Sequence, residues 1–101
     1  MLAREQLLVT YLEVLDRLSG LYFGQHQYGA CVALCRLLVA KDPCREDGHR
    51  RLMRCLTRQG QPHLALRQFQ ACAAALDRDL GVAPAPATVA LAERIRHHQP
   101  V

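Results

Sequence analysis

Asp42-Pro43-Cys44-Arg45-Glu46-Asp47-Gly48-His49-Arg50-Arg51-Leu52-Met53-Arg54-Cys55-Leu56 stops one helix and starts another. Pro43 has no N–H to donate, and its ring clashes with the preceding turn. It also pushes Asp42 out of the helical region. Apolar spacing of three and four residues resumes after it. Glu46 and Asp47 fall in the opening turn, where the helix dipole favours carboxylates. Outward from this joint, each side reads as helix, short turn, helix.

Upstream, Leu7, Leu8, Tyr11, Leu12, Leu15, Leu18 and Tyr22 form one face of a helix predicted from about Leu2 to Phe23. Gly24 is its expected stop. The turn Gln25-His26-Gln27 is short enough to return the chain antiparallel. The second helix, Tyr28 to Lys41, is apolar nearly all round and is expected between two neighbours. Downstream, a third helix is predicted from Arg45 to Gln59, with Leu52, Cys55, Leu56 and Gln59 on one side. Gly60 stops it, and Pro62 opens a fourth at a position where proline is tolerated. That helix runs to about Asp79 on a stripe of Leu64, Ala65, Gln68, Phe69, Cys72 and Leu76. Gly81 ends it, and Leu80–Pro86 is extended, with Val82 expected to tuck into the core. A fifth helix follows from about Pro86 to His98, with Leu91, Ala92 and Ile95 on one face and a frayed His97-His98 end. No two-residue alternation bounded by turns predicts a strand.

The chain matches itself at an offset of 34 residues. Leu18 falls on Leu52, Tyr22 on Leu56, Cys31 on Ala65, Cys35 on Phe69 and Leu38 on Cys72, and Gln27 falls on Gln61. Thirty-four is the tetratricopeptide period, with small residues where the helices cross and a proline near the unit's end. Pro43 ends the first unit; Asp77 stands at the matching place in the second, so the fourth helix should run on. The expected fold is all-α: tetratricopeptide-like antiparallel helix hairpins in a right-handed stack, closed by a C-terminal capping helix.

Composition sets outer limits. The chain has 101 residues, half of them hydrophobic, and a formal net charge of +4. One domain, residues 1–101, is the expectation. That charge is too small to argue nucleic-acid binding by itself. No apolar run reaches the roughly 18–20 residues of a membrane span, and no signal peptide is visible. The five cysteines are odd in number and fall largely on helical core positions, which argues against a disulfide framework. A reducing cytoplasm is the expected setting.

Several residues in this order resemble the bacterial transcriptional activator domain. They are Asp42-Pro43-x-x-Glu46, Leu52-Met53-Arg54, Gly60, Ala65-Leu66-Arg67-Gln68-Phe69 and Leu80-Gly81-Val82-Ala83-Pro84-Ala85-Pro86. The resemblance spans roughly Arg4 to Ile95. One departure is Ala87-Thr88, where the family usually has an acidic residue before the threonine. The resemblance implies a tetratricopeptide-like module of actinomycete antibiotic regulatory proteins and related multidomain regulators. It further implies a winged-helix DNA-binding domain outside this chain, against which the module packs, so the chain is expected to be a fragment of a larger regulator.

Four arginines, Arg50, Arg51, Arg54 and Arg58, share an arc of about 100° on the third helix. In the repeat register Arg50, Arg54 and Arg58 face the concave groove, and Glu13 and Asp16 take matching places in the first unit. These five are the candidate partner-binding groove. Guanidinium groups there suit a carboxylate-bearing partner or the neighbouring DNA-binding domain. The bland alternative is a solvated face with helical pairs Glu46–Arg50 and Asp47–Arg51. Cys31 and Cys35 are four apart, and His26, Cys44, His49 and His63 lie near turns, but no zinc-finger spacing links them. No cysteine is paired with a histidine at an enzyme spacing, and no phosphate-binding loop occurs. The reading is therefore a non-catalytic interaction domain with no cofactor, no metal, no membrane contact and no sequence-specific DNA binding of its own. Its expected partners are other domains of the same regulator, the transcription machinery or a second copy. The alternative is a stand-alone tetratricopeptide-like scaffold unrelated to transcription. A module serving an ATPase or signalling enzyme is a third reading.

Overall fold

The computed structural model describes residues 2–101. Five helices follow in order: α1 (Leu2–Gly24), α2 (Tyr28–Lys41), α3 (Glu46–Arg58), α4 (Pro62–Leu80) and α5 (Pro86–Arg96). No strand occurs among the described residues. The molecule is a slab of 46 × 34 × 17 Å, less than two helix diameters thick at about 10–12 Å each. α3 lies at its centre and touches each of the other four helices.

The 34-residue repeat reappears in backbone hydrogen bonds. At the end of α1, the His26 N–H donates to Phe23 O at 3.0 Å and the Gln27 N–H to Tyr22 O at 2.9 Å. At the end of α3, the Gly60 N–H donates to Thr57 O at 3.0 Å and the Gln61 N–H to Leu56 O at 2.9 Å. Each pair is a Schellman closure around a left-handed residue, with φ of 59° at His26 and 76° at Gly60. α5 ends the same way, with His98 at φ 56° and the Gln99 N–H bonded to Arg94 O at 2.8 Å. In its ending, α5 is thus like the first helix of a third unit. His97-His98 is a formed closure, not a frayed end. Gly24 is helical and takes no left-handed φ; His26 does that work. The Tyr28 hydroxyl holds the His26 ring at 2.7 Å, and the two rings meet edge to face.

The core follows the crossing points of the repeat. Cys31 and Ala65 are fully buried, as are Leu38 and Cys72. In α3 the buried side chains are His49, Leu52, Met53, Cys55 and Leu56, whereas Gln59 is exposed. Leu91, Ala92 and Ile95 of α5 are buried as expected, together with Thr88. Gly48 lets α2 and α3 approach: a β-carbon there would lie 3.1 Å from Leu38 Cδ2 and 3.3 Å from Val39 Cγ1.

Apolar surface stays uncovered at three places among the described residues. On α1 only Leu15 of the apolar face is buried. Leu7 is 70% exposed, and Leu8, Tyr11 and Leu18 are also exposed. α2 packs between α1 and α3, as expected, burying Cys31, Val32, Cys35 and Leu38 and leaving Leu37 exposed. Val82 does not tuck in and is half exposed. Leu18 and Leu52 are repeat equivalents, but Leu52 is fully buried. α3 has helices before and after it in the stack, whereas among the described residues nothing precedes α1.

Candidate partner-binding groove

The groove is built on α3, and the Asp42–Pro43 joint sets where that helix begins. The buried His49 ring donates from Nε2 to the Pro43 carbonyl at 2.7 Å and accepts from Gln68 Nε2 at 2.8 Å. These partners select the neutral ring, and burial lowers its pKa below the ordinary histidine value. His49 thus ties the joint to the first turns of α3 and to α4. It is a structural clasp.

Glu46 works at the same joint. Its carboxylate accepts the Ala85 N–H at 2.9 Å and the Thr88 hydroxyl at 2.5 Å. Ala85 is the residue before the first turn of α5, so Glu46 holds the start of that helix. The departure at Ala87-Thr88 leaves this start intact, because buried Thr88 meets Glu46 from α5.

The arginines divide by task. Arg50 Nη1 donates to the Thr88 hydroxyl at 2.9 Å and lies 4.0 Å from Glu46, tying α3 to α5. Arg51 Nη1 reaches Asp16 Oδ1 at 2.8 Å, the Asp16 carbonyl at 3.2 Å and Ser19 Oγ at 2.9 Å. It ties α3 to α1, in place of the expected helical pair with Asp47. The Asp47 carboxylate instead accepts the Gly48 N–H. Arg58 donates to the Tyr28 hydroxyl at 2.7 Å and to the Val101 carbonyl at 3.2 Å. Its guanidinium lies 5.0 Å from the centre of the Phe23 ring, within cation–π range.

Arg54 differs from all three. Among the described residues it makes no side-chain hydrogen bond or ion pair. It lines an open pocket of about 230 Å³ with Phe23, Asp47, Arg50 and Arg51. Burial, followed by repulsion from Arg50, Arg94, Arg58 and Arg51, lowers its pKa from the ordinary arginine value. The expected five-residue groove is therefore regrouped. Arg54 and Arg50 share the pocket, Arg58 lies beside it, Asp16 is the internal partner of Arg51, and Glu13 is exposed outside the lining. Sequence reading missed Phe23 as a wall, which only the α1–α3 contact brings there.

No group of three metal-binding side chains occurs among the described residues. Cys31 Sγ lies 3.0 Å from Cys55 Sγ, both fully buried, and burial pushes the Cys31 and Cys35 thiols up to about 12. No helix is long and apolar enough to cross a membrane among the described residues.

The fold is an all-helical, tetratricopeptide-like repeat of five helices, with Arg54 half-buried and unpaired among the described residues and an apolar face of α1 uncovered. The bacterial transcriptional activator domain family model matches residues 2–96, and the chain belongs to that family, a regulatory domain of transcriptional activators. Neither the comparison with curated proteins nor that with solved structures returned a match.

Proposed function

We propose that this chain is the non-catalytic interaction domain of a bacterial transcriptional regulator, acting in the cytoplasm. It positions a winged-helix DNA-binding domain that lies outside these 101 residues. The observation that carries this reading is the uncovered stripe on α1. Leu7, Tyr11, Val14, Leu18 and Leu21 are all exposed, and they recur at steps of four, three, four and three. That spacing gives a helix one continuous apolar seam. A seam of that kind, left open, marks an interaction surface. The pocket of Arg50, Arg51 and Arg54, with Arg58 beside it, is a second contact surface on the same body. The domain reads no bases itself, since carboxylates at Asp16 and Asp47 interrupt its arginines and break the basic track that a phosphate backbone needs.

The test is Leu7→Gln with Leu21→Gln in the full-length regulator, followed by reporter transcription from its promoter. Both side chains are more than half exposed, so the helical content and melting temperature of the domain should hold. Reporter output should fall about tenfold, the loss expected for roughly 1.4 kcal/mol of docking energy. Unchanged output from a folded double variant would overturn the reading.

A further inference from the structure

We propose that the pocket around Arg54 is a socket for one acidic side chain, aspartate or glutamate, from a partner protein, with the apolar part of that segment lying on Phe23. This rests on the interaction-domain reading above and names the chemistry of its second surface. Arg50, Arg51 and Arg58 are committed to internal bonds that join α3 to its neighbours. Arg54 is not, although it stands among them and is half-buried. A guanidinium held there without a counter-ion is destabilised by its neighbours and by lost hydration. An incoming carboxylate relieves both terms, and the planar guanidinium can hold it with two parallel hydrogen bonds.

Pocket shape and charge select a side chain over a polyanion. The volume of about 230 Å³ equals roughly eight waters at about 30 Å³ each, room for one long side chain. Asp47 lines the same pocket, so a continuous phosphate backbone would meet a like charge, whereas a single carboxylate can turn toward Arg54. Arg50 and Arg51 use only Nη1 in their bonds and line the same pocket. Phe23 supplies an apolar wall for the methylene groups or the flanking residue.

The experiment follows the arginine side-chain N–H signals of isotope-labelled protein by NMR. The probes are a short blocked peptide with glutamate between two leucines, its glutamine counterpart, inorganic phosphate and a short DNA duplex. The expected result is a selective shift of the Arg54 signal with the glutamate peptide. Its affinity should exceed that of the glutamine peptide by about tenfold. Arg54→Gln should lose that preference. Arg54→Lys, which keeps the charge but not the fork, should retain part of it. Circular dichroism establishes that both variants fold. The proposal is overturned by equal binding of both peptides, by binding unchanged in Arg54→Gln, by phosphate competing as well as the glutamate peptide, or by duplex binding that depends on Arg54. It is also overturned if the glutamate peptide does not bind at all. A regulator that still needs the α1 stripe but ignores both peptides would lose this proposal and keep the previous one.

Discussion

His49 shows how one side chain turns a sequence break into a rigid joint. Pro43 ends α2, and its carbonyl would be an unpaired acceptor without the buried imidazole. Because burial holds the folded ring neutral, protonation favours the unfolded chain. The folded pKa is lowered, so the unfolded state binds more protons below the ordinary histidine value of about 6.5. The stability from the neutral ring is complete above that pH and is lost as pH falls toward the lowered folded value. Urea unfolding should therefore show stability declining from pH 7 to pH 5, and His49→Gln should flatten that slope. The other four histidines are exposed, so an equal slope in the variant would refute the assignment. In the sequence, His49 is only a histidine near a turn. Its partner Gln68 lies on the next helix, and no local pattern connects the two.

Among the elements, the turns were the most legible part of the chain. Gln27 and Gln61 match at the repeat offset, and the hydrogen bonds around them match as well. The two closures differ in one respect: Gly60 adopts the left-handed conformation without steric cost, whereas His26 is an L-residue held there through Tyr28. Gly60→Ala should destabilise the domain by about 1 kcal/mol, since a β-carbon is disfavoured at φ 76° even with open space around it. Gly29→Ala, in α2 with nothing within 4 Å, should instead leave stability unchanged or raise it by up to about 1 kcal/mol. Thermal melts of the two variants, read side by side, test the distinction. Element boundaries also read well, with α2 as predicted and the others within two residues. The arginine stripe read less well. Periodicity placed the four arginines on one arc, but three of them bond to α1, α2 and α5, and those helices come together only on folding.

At the scale of the whole molecule, the described helical stack leaves one apolar face of α1 uncovered. Leu18 and Leu52 occupy the same place in the repeat, and sequence treats them alike. Leu52 lies within the stack and Leu18 on its outer side. Leu52→Ala should cost about 2–5 kcal/mol through lost burial and a cavity. Leu18→Ala should cost no more than about 1 kcal/mol. Chemical denaturation of the two variants decides the matter, and equal losses would mean that Leu18 is covered as fully as Leu52.

Local rules in the sequence were enough to determine the all-α class, the five helices, the 34-residue repeat and the family signature at Asp42-Pro43-x-x-Glu46. Proline stops a helix, a left-handed residue closes one, and apolar spacing selects which side can be buried, all within a few residues of each other. Tertiary structure alone decided which apolar side is in fact covered, and which arginine remains without a partner. Both depend on neighbours far away in the chain: among the described residues none covers the outer side of α1, and Arg54 stands where α1 and α3 leave it facing a pocket.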